Sequence, residues 1–150
     1  VAAMRSKFDY VDNPSHSFGG VPRVVFTEMT APVETGGACV TPVPVRHGAE
    51  DIYGFRVEAD GKRLAYIPDC SGIPAGSFHL LEKLDVMILD GLRPGKHATH
   101  FSIEECVENL LRIGAKRSFL THLTHHSDHT ALQAALPAGI EVPWDGLTVS

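Results

Sequence analysis

Cysteine is scarce in this 150-residue chain: Cys39, Cys70 and Cys106 are odd in number, scattered, and in no C-x-x-C spacing. That argues against a disulfide framework and for free thiols in a reducing cytoplasm. Long apolar runs are lacking too. None approaches the ~18–20 residues a membrane span needs, and the N-terminus has no signal-peptide h-region. There is no Lys/Arg block, and the net charge is -5, so a general nucleic-acid binder is not expected. Repeats and low-complexity segments are missing as well. What remains is an ordinary balance, 43% hydrophobic and 21% charged, that fits one compact domain. Because the chain opens on Val1, and Met4 opens no obvious element, a piece of something longer is expected.

The first third is the least regular. "DNPSHSFGGVPR" is turn-rich, "RVVFTEM" reads as a strand and "TAPVETGG" as a loop. "ACVTPVPV" then reads as a strand whose prolines keep it non-helical. "IYGFRVEAD-GK-RLAYIPD" alternates through a DG turn, a hairpin signature. From there strand and helix take turns. "PAGSFHLLEKL" predicts a short helix opened by Pro74, and "DVMILDGL" a buried strand. "SIEECVENLLRIG" is a helix with Ser102 as N-cap, Glu105 three residues on, and Gly114 beyond its end. "RSFLTHL" is a strand, "SDHTALQAAL" a helix with Ser127 as its cap, and "IEVPWDGLTV" a last strand. The alternation predicts an α/β layered domain.

Ligands in such domains bind at strand ends. His47, Asp69, Asp90 and His122 each follow a predicted strand, and His100 sits in the loop before Ser102. Imidazoles and carboxylates converging at one edge suit a divalent metal such as zinc. Each also has a plain reading: an Asp after a strand often only closes a turn, and lone histidines such as His16 and His79 are surface residues. "FLTHLTHHSDHT" gathers His122, His125, His126 and His129, and three readings compete for it: metal site, proton-transfer site or solvated helix start. Within it, "THHSDH" lacks one histidine of the dinuclear metal pattern H-x-H-x-D-H, with Thr124 in its place. Cys70, next to Asp69, reads as a packed thiol.

The stretches "VTPVPVRHG", "LAYIPDCSGIP", "DVMILDGLR", "THFSIEECVENLLRIGAKRSFLTHLTH" and "DGLTV" together resemble, in order and spacing, the later part of a metallo-β-lactamase-fold metallohydrolase. The branch most resembled is the phosphoribosyl cyclic-phosphate phosphodiesterases. The resemblance implies an αββα sandwich with two divalent metals, zinc or manganese, at the sheet edge. By position, His47 resembles a ligand of the first metal, Asp69 the bridging aspartate, and His122 a ligand of the second. His100 resembles a substrate-facing catalytic histidine, with Asp69 also counted in catalysis. Asp90 and Asp145 resemble residues that orient ligand histidines, and His125 lines the site. His126 and His129 are not expected to ligate.

The family's H-x-H-x-D-H motif does not occur in these residues, so a preceding metal-binding half is expected to be absent, and this chain alone is expected to be inactive. The implied reaction is hydrolysis of a small phosphodiester such as a cyclic phosphate, with two metals activating water. Thioester or lactone hydrolysis is the alternative substrate class. A non-catalytic module, self-associating as a homodimer through apolar surface left uncovered, is the competing reading.

Overall fold

Two prolines in one long strand pose a hydrogen-bonding problem, since neither has an N–H to give. The computed structural model, which describes residues 1–12 and 22–149, resolves it by register. Strand β2 (Ala38–His47) pairs along its whole length with β3 (Glu50–Ala59), Pro42 facing Phe55 and Pro44 facing Tyr53. The Arg46 N–H points the other way, to the Gly72 carbonyl at 2.9 Å. Pro42 and Pro44 share its parity, so their nitrogens also face away from β3, beyond the end of the short edge strand β1 (Val33–Thr35).

The chain divides into two compact units, Val1–Ala31 and Pro32–Ser150. The first holds a short helix α1 (Ala2–Lys7) and a 3-10 turn (Asp9–Val11). The stretch expected as a strand, Arg23–Met29, has no regular structure, and Met4 lies within α1. Strand-forming residues make a strand only where a neighbour accepts their ladder, and this stretch pairs with none among the described residues. Most of the turn-rich stretch, with His16, lies outside the described residues.

The second unit is built on one seven-stranded sheet in sequential order, β1 to β7. Strands β1 to β4 (Lys62–Ile67) are antiparallel; β4, β5 (Val86–Asp90), β6 (Arg117–Thr121) and β7 (Ile140–Glu141) are parallel. The β3–β4 hairpin turns at Asp60 and Gly61, both at positive φ (49° and 72°), as the DG pair predicts for a type I′ turn. The loop expected over 30–37 instead contains β1 and its Gly36–Gly37 turn. Helix α2 (Ile103–Ile113) carries the full capping box of Ser102 and Glu105, and Gly114 ends it at φ 67°. The segment expected as a helix after Pro74 is a 3-10 helix, Ala75–Leu81. Helix α3 (His129–Ala135) is capped by Asp128, one residue later than expected, its carboxylate accepting from the Ala131 N–H at 2.8 Å. The last strand is only two residues: beyond it the Val142 N–H is taken by the Gln133 side chain at 2.8 Å, and Pro143 has no N–H to give.

The sheet's two faces differ. Val43, Val45, Ala65, Ile67, Met87, Leu89 and Leu120 point into a buried core beneath α2, which contributes Cys106 and Leu110. Apolar side chains also line the opposite face, but there Tyr53, Phe55 and Tyr66 are 60%, 40% and 44% exposed. Among the described residues no helix is long and apolar enough to cross a membrane.

Candidate metal centre

Strands β2, β4, β5 and β6 all run toward one sheet edge, so residues far apart in sequence meet there. Three cross-links fix the meeting. A bridge between Arg46 and Gly72 ties the end of β2 to the loop after β4, which sets His47 beside Asp69. The Phe101 N–H donates to the Cys70 carbonyl at 2.8 Å and brings His100 to the same place. The Gly91 N–H donates to the Thr121 carbonyl at 3.0 Å, holding the ends of β5 and β6 together.

The ligand-capable atoms of His47, Asp69 and His100 lie within 4.8 Å of one another. His47 Nε2 is 3.1 Å and His100 Nδ1 3.2 Å from Asp69 Oδ1. That oxygen is buried and makes no hydrogen bond of good geometry. Left so, it costs about 1–3 kcal/mol in desolvation; a cation held between Asp69 and His47 would satisfy it. His47 and Asp69 offer an imidazole and a carboxylate, and His122, whose ring is 4.8 Å from that of His100, offers a further imidazole at the same edge, so the residues present fit a divalent metal.

Asp90 lies beneath this group, fully buried. Its Oδ2 accepts from His100 Nδ1 at 2.9 Å and from the Cys70 N–H at 3.0 Å. Burial pushes the Asp90 carboxyl above the usual range, opposed by the Cys70 N–H and the neighbouring His100. Its hydrogen bond assigns the proton of a neutral His100 to Nδ1 and leaves Nε2 as the free nitrogen. Burial also raises the Cys70 thiol well above its ordinary value, with Asp90 and Asp69 adding to the effect, so the thiol stays protonated and packed.

His122 follows β6 with φ 64°, a left-handed conformation that costs a non-glycine residue about 1–3 kcal/mol. The turn carries its ring to 4.8 Å from that of His100, though it stands outside the convergent group of three. A cleft joins His122 to Thr121, Pro143, Trp144 and Asp145, which puts Asp145 at the same edge. His125 packs on His126 at 3.9 Å in the exposed turn that follows, and His129 bonds the Val142 carbonyl at 3.1 Å. His79 is exposed. Sequence reading passes over His97, whose ring lies 5.0 Å from that of His100. The one hint was its position in "KHATH", three residues before His100.

The chain belongs to the β-lactamase superfamily: residues 1–123 match the family model described as the beta-lactamase superfamily domain. It is similar to a crystal structure of a diphosphatase from the PhnP family, with 32% identity and a TM-score of 0.80. That match covers 99% of this chain and 54% of the diphosphatase, so the chain spans about half the length of that relative. The fold also matches zinc-bound PqqB from Methylobacterium extorquens, with a TM-score of 0.63, 22% identity, and 85% and 54% of the two chains covered. An octanoyltransferase of Porphyromonas gingivalis is 28% identical over an alignment of 151 positions, which covers 97% of this chain and 29% of that protein.

Proposed function

We propose that this chain carries part of the active site of a metal-dependent hydrolase whose substrate is a phosphodiester, most simply a small cyclic phosphate. The observation that carries the reading is Asp69 Oδ1, buried and unbonded between two imidazole nitrogens at 3.1 and 3.2 Å. Resemblance to a diphosphatase, 32% identical, favours phosphoryl over acyl chemistry. His47 would help hold a first metal, His122 a second, and Asp69 would serve both, with zinc as in PqqB or manganese as the ion. Each ion needs ligands beyond these, which a longer polypeptide would supply. A bound divalent cation lowers the pKa of a water and polarises a phosphoryl oxygen. Within the chain, Asp90 holds Nδ1 of His100, so that Nε2 is the atom that moves a proton to or from the substrate.

Calorimetric titration of the chain with Zn²⁺ and with Mn²⁺ tests the metal assignment. Binding is expected in the wild type and should be lost in Asp69→Ala and His47→Ala; equal binding in all three proteins would overturn it. Substrate class is decided on the longest natural polypeptide that carries this sequence. A cyclic phosphate, a lactone and an aliphatic thioester are compared there, the last because one relative is an octanoyltransferase.

A second reading, self-association without catalysis, is favoured by the open apolar face at Tyr53, Phe55 and Tyr66.

A further inference from the structure

The end of the loop after β5, residues 97–99, lies beside the candidate metal centre, and two contacts fix it there. At Gly48, just after His47, a Cβ would stand 3.0 Å from the Thr99 side chain and 3.5 Å from the Ala98 carbonyl oxygen. The turn after β2 therefore needs glycine there to let the loop approach. On the other side, His97 packs its ring against His100, centroids 5.0 Å apart and planes tilted by 40°.

The hydrogen bonds of His97 decide its chemistry. Its Nδ1 faces the Thr99 backbone N–H at 3.4 Å and the Thr99 hydroxyl at 3.3 Å. A backbone N–H can only donate, so Nδ1 must carry a lone pair, and a neutral imidazole then bears its proton on Nε2. His97 is exposed, so that N–H is free to meet solvent or a bound ligand. His100 has the opposite arrangement, with Nδ1 donating to Asp90 and Nε2 left bare. Two adjacent imidazoles thus stand in opposite tautomers, one offering a lone pair and the other a donor.

We infer that His97 is a substrate-facing hydrogen-bond donor, presenting Nε2–H to a non-bridging oxygen of the phosphoryl group; the inference rests on the phosphodiesterase reading above. A donor preset toward an oxygen that gains charge stabilises the transition state more than the ground state. His97 therefore acts on turnover rather than on metal affinity.

Two measurements test this. Long-range ¹H–¹⁵N NMR of the metal-free chain should show His97 protonated at Nε2; an Nδ1–H tautomer would overturn the inference. Hydrolysis of bis(p-nitrophenyl) phosphate is then followed in the longest natural polypeptide that carries the sequence, with metal content measured alongside. His97→Ala should lower kcat on the order of 10²-fold, as for loss of one preorganised donor, with KM little changed. His97→Gln, which keeps a side-chain N–H, should recover most of the rate, and both variants should hold as much metal as the wild type. Unchanged turnover in His97→Ala, no recovery in His97→Gln, or loss of metal in either would each sink the assignment. A wild type that binds no metal and hydrolyses nothing defeats the phosphodiesterase reading and this inference together. Failure of His97 alone leaves the wild-type rate intact.

Discussion

Asp90 and His100 are held together by one hydrogen bond of 2.9 Å, and that bond does two jobs. It orients an imidazole at the sheet edge, and it satisfies half of a fully buried carboxylate. Asp90 Oδ2 receives both the Cys70 N–H and His100 Nδ1, so in Asp90→Asn the amide oxygen that keeps the first bond also keeps the second, and the fold should survive. What is lost is the carboxylate's charge, which leaves His100 on a neutral and weaker acceptor. Turnover of a phosphodiester should fall about 10–100-fold, as when the partner of a site histidine is weakened, with an unchanged circular dichroism spectrum. Undiminished turnover would show that His100 needs no charged partner. At this scale much could be read in advance. His47, Asp69, Asp90, His100 and His122 stand out in the sequence because each sits at or near a strand end, and the structure brings all five to one edge. His97 could not be read that way, since its role depends on which nitrogen Thr99 engages.

Among the elements, the β4–β5 junction shows how a surface charge can set register. Asp85 accepts from Lys116 Nζ at 2.7 Å and from the Arg63 N–H at 2.8 Å, tying together the starts of β4, β5 and β6. The Lys116 hydrogen bond, with help from that of Arg63, holds the Asp85 carboxyl below its usual range. A carboxyl depressed on folding stabilises the native state above its unfolded pKa of about 3.9. That contribution disappears as pH falls through the lower, folded value. Asp85→Asn should therefore be less stable than the wild type in urea melts at pH 6–7, and the gap should close below about pH 3–4. A gap that persists at low pH would show that Asp85 acts by shape rather than charge. The helices and the hairpin turn were legible because caps and turns are local: Ser102, Glu105, Gly114 and the Asp60–Gly61 pair each act within a few residues. The Arg23–Met29 stretch misled because strand propensity does not supply a partner strand.

For the molecule as a whole, the sheet face bearing Tyr53, Phe55 and Tyr66 stays exposed among the described residues. A second copy would cover Tyr53, Phe55 and Tyr66 through a two-fold, self-complementary contact. Light scattering across a range of concentrations should then show a monomer–dimer equilibrium, shifted toward monomer by Tyr53→Ser and Tyr66→Ser. A monomer at every concentration would count against self-association. The sequence by itself determined the α/β alternation, the hairpin, the capped helix α2 and the strand ends that carry the candidate metal-ligating side chains. Periodicity, caps and turns are properties of neighbours along the chain. Only the tertiary structure decided that Asp69 Oδ1 stands unbonded between two imidazoles, that a buried Asp90 sets the tautomer of His100, and that Gly48 admits the His97 loop. Those depend on contacts between segments that only folding brings together.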